Sequence, residues 1–451
     1  PPPSLNGTWA SLGSGELLAI QDSSRYQFYD LTSISCLPAR SGPLEELLLD
    51  LRVGTDTLVW RLGVLDYPFI RTDQLPSRCQ QELKAAKQKD PLYNFAVFAE
   101  TVKEHYAFFA LNEIDWPSLY ASQKARLRST STPVELYQVI EETLEKLNDN
   151  HAYLEADEAV YAALEEVETE EEVDEGLPEY GDFQVAALVA EHHFDEELTE
   201  DSWLVQWGTL NEDVGMIVVK AMWLHADLEI PQTRIDELGY VDAYVTTFHE
   251  RYEGDYIRKE VAGVSRTMDR VMADLRDHSA IVIDLRFNGG GQDAVSFEIL
   301  SRFLDQETAV ATQKLRMGES FTPTQTLLIK GQSSAFTKPV YVLTSPQTGS
   351  AAEAFAIATI PMEHIRRIGG ATSGALSTAL EKTLPNGWSF SISNEIYMDL
   401  VGKSYENIGI PVDYDCSYSR DRQTFFRRVV NDLAADKVQI LEAIDLLSKP
   451  E

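Results

Sequence analysis

Ser345-Pro346-Gln347-Thr348-Gly349-Ser350-Ala351-Ala352-Glu353 follows an apolar strand pattern and opens a helical one. A serine at such a junction sits at the positive end of a helix dipole. The neighbouring backbone N–H groups lack helical acceptors and can hold a developing oxyanion. The same residues also form a capping-box pattern, with Ser350 as N-cap and Glu353 three positions on, and the local pattern alone favours capping. A second element is Asp284-Leu285-Arg286-Phe287-Asn288-Gly289-Gly290-Gly291. Three glycines after a buried strand let the backbone turn sharply, and their amides can form a nest for negative charge. The Gly-Lys-Ser/Thr ending of a phosphate loop is missing, and so is a Gly-x-Gly-x-x-Gly dinucleotide fingerprint. Serine chemistry needs a base near neutrality, and His151, one of eight histidines, ends an amphipathic helical stretch. Glu406, in Tyr405-Glu406-Asn407-Ile408-Gly409-Ile410, is a carboxylate that would orient a base if buried. Taken singly, His151 reads as structural and Glu406 as an exposed acid.

Five segments must position these residues. Residues 1–82 read as a small β-rich domain, with strands at Thr8–Ala10, Leu17–Ile20, Tyr26–Leu31, Leu47–Val53 and Thr57–Leu62 broken by turn residues. Residues 83–154 read as a helical subdomain carrying His151. Phe95, Phe98, Val102, Tyr106 and Phe109 recur at helical steps, and Ser131-Thr132-Pro133-Val134-Glu135 starts a helix that ends near Asn148-Asp149-Asn150. Residues 155–212 read as an acidic insertion or lid, because no Lys or Arg occurs from Leu147 to Val219. His192, His193 and Asp195 within it form a weak metal-site pattern. Residues 213–417 alternate strand and helix around the apolar run Ala280–Leu285, which predicts an α/β core with a mixed, largely parallel sheet. Residues 418–451 read as a C-terminal helical tail.

Composition excludes several function classes. The chain has 451 residues, 44% hydrophobic and 25% charged, ordinary globular usage that can bury large cores. Its formal net charge of −35 repels nucleic-acid phosphate and anionic lipid. No apolar run reaches the roughly 18 residues of a membrane-spanning helix. Of the three cysteines, Cys36 and Cys79 lie close enough in one small segment to pair, and separate thiols are an equal alternative. A pair would fit an oxidising compartment.

The order of motifs is more specific than any one of them. His151 precedes Asp284–Gly291, Thr348–Glu353 and Gly370-Ala371-Thr372-Ser373-Gly374-Ala375-Leu376-Ser377; Leu384–Trp388 and Tyr405–Asp413 follow. This series resembles the tail-specific (C-terminal-processing) serine peptidase family, tricorn-like branch, over about residues 90–415. The resemblance implies a ClpP/crotonase-like α/β peptidase core, and residues 1–82 resemble a small lipocalin-like domain. It implies Ser350 as nucleophile, His151 as base, Glu406 as its orienting acid, and an oxyanion hole from the Ala351 amide with that of Gly290 or Gly291. The lysine of the Ser/Lys branch is absent, since that motif reads Thr372-Ser373-Gly374-Ala375. Asn150 stands where the tricorn-like branch has a linking serine and is the expected supporting residue. A peptide-binding PDZ module is not visible.

These readings together predict a serine endopeptidase or C-terminal-processing peptidase acting by acyl-enzyme chemistry. It would need no cofactor or metal and would take a peptide or protein substrate. A cleaved leader is presumed, which gives a periplasmic or extracellular location. The sequence leaves oligomeric state open. The alternatives are a non-catalytic peptide- or lipophilic-ligand-binding protein on the same scaffold, and an esterase or amidase using the same serine.

Overall fold

The computed structural model describes residues 5–22, 24–72, 74–165, 178–251 and 255–449. The chain forms two compact units, residues 1–175, 313–325 and 377–396 in the first and residues 176–312, 326–376 and 397–451 in the second.

The first unit opens with seven strands: β1 (Gly7–Ser11), β2 (Glu16–Gln21), β3 (Arg25–Leu31), β4 (Cys36–Pro43), β5 (Leu51–Val53), β6 (Thr57–Leu62) and β7 (Leu65–Thr72). They pair antiparallel in the order β4-β3-β2-β1-β7-β6-β5. Their alternating residues Trp9, Leu18, Phe28, Leu58, Trp60 and Phe69 bury one face. The expected strand at Leu47–Val53 is shorter. Leu44 and Leu47 bury together at helical spacing, so Glu45–Leu48 makes one helical turn before β5. Strand β4 was hidden by Pro38, Gly42 and Pro43, residues an edge strand tolerates. Cys36 and Cys79 form a disulfide, which resolves the open pairing.

Helix α1 (Pro91–His105) is capped by Asp90 and buries Phe95, Phe98 and Val102, while Phe109 lies beyond its end. Helix α2 (Pro133–Leu147) begins with the reciprocal Thr132–Glu135 capping box and ends at Asn148, which takes the left-handed conformation. Strand β8 (Tyr153–Glu155) then pairs antiparallel with Ser389–Ser393, which pairs in turn with Ala379–Thr383. His151 stands in the short turn between α2 and β8.

The second unit is built on a seven-stranded sheet. Among its elements are helix α3 (Asp182–His193), strands β9 (Glu196–Glu197), β10 (Val205–Thr209), β11 (Val214–Val219), β12 (Ala280–Asp284) and β13 (Val340–Thr344), helix α4 (Ala351–Ala358), strands β14 (Ile365–Gly369) and β15 (Tyr414–Asp415), and helices α5 (Arg422–Asn431) and α6 (Leu433–Leu447). The order is β15-β14-β13-β12-β11-β10-β9. The strands from β11 to β15 pair parallel and β9 to β11 antiparallel, the mixed, largely parallel arrangement expected. Strands β11, β12 and β13 are buried along their whole length, which explains their unbroken apolar runs.

Within residues 155–212, α3 and β10 are core elements. Val185, Ala186, Val189 and Ala190 pack α3 into the core with Met216, Val282 and Phe425, and β10 is a strand of the central sheet. The high acid content lies on the exposed face and concealed this apolar stripe. Glu166 and Glu170-Glu171-Glu172, the centre of the expected lid, lie outside the described residues. The weak metal pattern is also corrected. His193 is fully buried, with Nδ1 against Val189 O at 2.9 Å and Nε2 against Asp436 at 3.0 Å, and Asp195 pairs with Lys437. Among the described residues no cluster of three His, Cys, Asp or Glu could hold a metal ion. The C-terminal residues α5 and α6 are core elements, burying Phe425, Phe426, Val429 and Ile440 beside Phe287. No described helix is long and apolar enough to cross a membrane.

Candidate active site

Strand β12 delivers Asp284 and Arg286 into a fully buried network. Arg286 donates to both oxygens of Asp284 (2.7–3.1 Å), to Asp436 (2.9 Å) and to Tyr418 (3.0 Å), and Asp436 also contacts His193. Burial alone would raise the Asp436 carboxyl, but Arg286 and His193 hold it down at about 2. The network fixes the backbone on which two turns rest. Ser345 Oγ donates to Arg286 O at 2.6 Å, and Thr348 Oγ1 to Leu285 O at 2.8 Å.

Asn288 joins those turns to the sheet. Its Nδ2 donates to Val219 O (3.0 Å), its Oδ1 accepts from Gly290 N (2.9 Å), and its carbonyl accepts from Gly349 N (3.1 Å). Gly290 needs to be glycine twice over. Its φ is +109°, and a Cβ there would lie 2.7 Å from Ser350 Cβ and 2.9 Å from Ala351 N.

Ser350 has φ +51° and ψ −123°, which is strained for any residue with a side chain. It stands at the sharp strand-to-helix turn between β13 and α4. Its side chain does not cap α4, which overturns the capping preference of the local pattern. The backbone is held in this shape by Ser350 N donating to Ala375 O at 3.0 Å. The amides of Ala351 and Gly291 donate to no acceptor among the described residues, whereas that of Gly290 is engaged by Asn288.

Glu353, the supposed capping partner, turns instead to the 372–375 loop. Its carboxylate accepts from Thr372 Oγ1 (2.5 Å), Gly374 N (2.8 Å) and Ala375 N (2.7 Å). Burial pushes its pKa up to about 7 against the pull of these donors. One residue on, Leu376 N donates to Glu406 Oε2 at 3.0 Å. Glu406 is 5% exposed, so the lone-residue reading of it as an exposed acid does not hold. The second unit therefore gathers Ser350, Ala351, Gly290, Gly291 and Glu406 around one loop.

His151 and Asn150 belong to the first unit. The His151 amide donates to Asp149 Oδ1 at 3.0 Å, and its carbonyl accepts from Ser391 Oγ. Asp149 is itself held by Ser393, through Oγ at 2.6 Å and N at 2.7 Å. His151 Nδ1 is buried without a hydrogen-bond partner among the described residues. Burial pushes the imidazole below its usual pKa and Asp149 pulls it back up. Asn150, the expected supporting residue, is exposed, and no side-chain hydrogen bond of it occurs among the described residues. Asp149 does the holding. Asn288, Glu353 and Asp149 escaped sequence reasoning. The usable signals were an amide-bearing residue entering a glycine turn and a carboxylate two positions before a histidine.

Residues 238–416 match peptidase family S41, and residues 87–145 match the tricorn protease C1 domain. Mature CPAF has a similar fold (12% identity, TM-score 0.53, covering 81% of this chain and 99% of that one). So does a protein from Parabacteroides merdae (18% identity, TM-score 0.51, covering 77% and 98%). The chain thus carries a peptidase S41 domain and a tricorn C1-type domain, consistent with a tail-specific peptidase.

Proposed function

We propose that this chain is a serine peptidase acting as an endopeptidase or a C-terminal-processing enzyme. Ser350 Oγ attacks the peptide carbonyl carbon while His151 takes its proton. The oxyanion is met by the amides of Ala351 and Gly291. Of the two glycines the family pattern allows, Gly291 is preferred because the Gly290 amide already donates to Asn288. Collapse breaks the C–N bond, His151 returns the proton to the leaving amine, and an acyl-Ser350 ester remains. Water then attacks that ester by the same route and frees Ser350. Glu406 orients the charge system, and Asp149 fixes the turn that carries His151.

The observation that carries this reading is the conformation of Ser350. A φ/ψ pair costing about 1–3 kcal/mol is kept at a serine whose hydroxyl does not cap its helix, beside a free amide. The peptidase family match weighs against a purely binding role. The substrate is a peptide or protein, and the acidic surface disfavours nucleic acid. The Cys36–Cys79 disulfide supports an oxidising, periplasmic or extracellular setting. The N-terminal sheet is read as lipocalin-like and the 213–417 core as ClpP/crotonase-like. A fluorophosphonate probe tests the chemistry. Wild-type protein should be labelled at Ser350, and Ser350→Ala and His151→Ala should not. Folded wild-type protein that stays unlabelled refutes the reading.

A further inference from the structure

Strand β11 ends at Val219, whose carbonyl anchors Asn288, and the next side chain is Lys220. Lys220 is 5% exposed. A lysine buried to that degree ordinarily has a carboxylate partner, because an isolated ammonium is costly to desolvate. Among the described residues Lys220 Nζ has neither a hydrogen bond nor an ion pair within 4 Å; the Trp203 ring lies at 5.8 Å, and Glu197 acts on the ammonium only by longer-range attraction. Burial pushes the ammonium down to about 8, and Glu197 pulls it only partly back.

Lys220 lines a cavity of about 650 Å³. Its walls include the rings of Phe183, Trp223 and Phe287 and the backbone of Gly290 and Gly291. Gly290 is the residue whose missing Cβ leaves room beside Ser350 and the Ala351 amide. The first turn of the twelve-residue helix α3 opens on the same cavity, with its unsatisfied amides at the positive end of the dipole. The acid at that turn, Asp182, is neutralised by an ion pair with Arg422. The cavity therefore offers a partnerless cation, a helix N-terminus and aromatic walls, adjoining the glycine turn of the proposed catalytic centre.

We propose that this cavity is a substrate subsite for a peptide carboxylate, with Lys220 as its specificity-determining residue. The proposal rests on the peptidase reading for its substrate class. The carboxylate is either the C-terminal α-carboxylate or an Asp or Glu side chain within a residue or two of the scissile bond. Both give the same ammonium–carboxylate pair, held in apolar surroundings where such a pair is strong.

Binding to Ser350→Ala protein tests this without any chemistry. The probes are fluorescent peptides of one sequence with a free C-terminus, with an amidated C-terminus, and with an internal Glu changed to Gln, read by anisotropy. The carboxylate-bearing peptide should bind at least tenfold more tightly than its neutral counterpart, about 1.4 kcal/mol at 25 °C. Loss of preference on amidation assigns the α-carboxylate, and loss on the Gln change assigns the side chain. In Ser350→Ala/Lys220→Met the ratio should collapse to about one, and Lys220→Arg should retain a preference. Lys220→Met removes an unpaired buried charge, so its melting temperature should not fall. Equal binding of all peptides, or a preference that survives Lys220→Met, overturns the proposal. Wild-type protein unlabelled by fluorophosphonate, with the Lys220-dependent preference intact, would remove the peptidase reading and leave the subsite standing.

Discussion

Gly290→Ala is the sharpest single test of how the glycine turn serves Ser350. The added Cβ would lie 2.7 Å from Ser350 Cβ and 2.8 Å from Gly349 O. Carbon atoms rest about 3.5–4.0 Å apart, so the two turns must separate by roughly 1 Å. A displacement of that size at a reacting atom costs about 100-fold in rate. The same Cβ would stand 2.9 Å from Ala351 N, in the space an oxyanion would occupy. Loss of one such donor costs about 2.7–4 kcal/mol of barrier, or 10²–10³ in rate. Alanine at φ +109° adds strain of about 1–3 kcal/mol to the folded state. The assay is the second-order rate of fluorophosphonate labelling, with a thermal melt to establish folding. Gly290→Ala should lose at least about 100-fold in labelling and melt lower. Gly289→Ala is the matched control, since a Cβ there meets nothing within 4 Å and φ is not positive. It should stay within about threefold of wild type, as exposed substitutions do. A folded Gly290→Ala labelled at the wild-type rate would sink the argument.

Five further outcomes are expected. Cys36→Ser/Cys79→Ser should lower unfolding free energy by up to about 4 kcal/mol, from the entropy of closing a 43-residue separation, read as a drop in urea midpoint; an unchanged midpoint excludes the bond as a stabiliser. Arg286→Met leaves Asp284 and Asp436 uncompensated in the core and should cost about 3–5 kcal/mol by the same assay, and a loss below about 1 kcal/mol would contradict the buried network. Because burial favours the neutral imidazole of His151, activity should persist below pH 6.5 and decline only as pH drops through the depressed value. Asp149→Asn removes the opposing pull and should move that acid limb lower still, and a limb at or above 6.5 in the wild type would exclude His151 as the base. Glu353→Gln places an amide N–H₂ where a carboxylate oxygen accepted one or two of three donors, so the 372–375 loop should loosen and labelling should slow about tenfold or more; wild-type labelling would dismiss Glu353 as a positioning residue.

Strongly periodic and strongly punctuated segments were legible in the sequence. Strand β12 and its glycine turn were plain because a strand covered on both faces must be apolar throughout and only glycine tolerates the φ that follows. Helix α2 was plain because Thr132, Pro133 and Glu135 satisfy its first turn by local chemistry. Helix α3 was obscured because the acids around it outweighed an apolar stripe of four residues. Ser350 was ambiguous because capping and nucleophile turns share a local pattern. The difference lies in φ, which is imposed by Ala375 O and by Asn288 O on Gly349, long-range contacts no local window contains. Glu406 was invisible as a buried acid for the same reason, since its acceptor role depends on Leu376 N, thirty positions away. The partnerless state of Lys220 could not be read at all, because an acid-rich chain gives every cation a nominal counter-ion.

The distance along the chain between Arg286 and Asp436 has a consequence for biosynthesis. The guanidinium emerges 150 residues ahead of that partner. At about 5–20 residues per second it waits roughly 8–30 s for its second carboxylate. Until α6 arrives, Arg286 is balanced by Asp284 alone, and the guanidinium N–H groups that Asp436 accepts lack that acceptor. Assembly of the core beneath the glycine turn is thereby coupled to the arrival of α6.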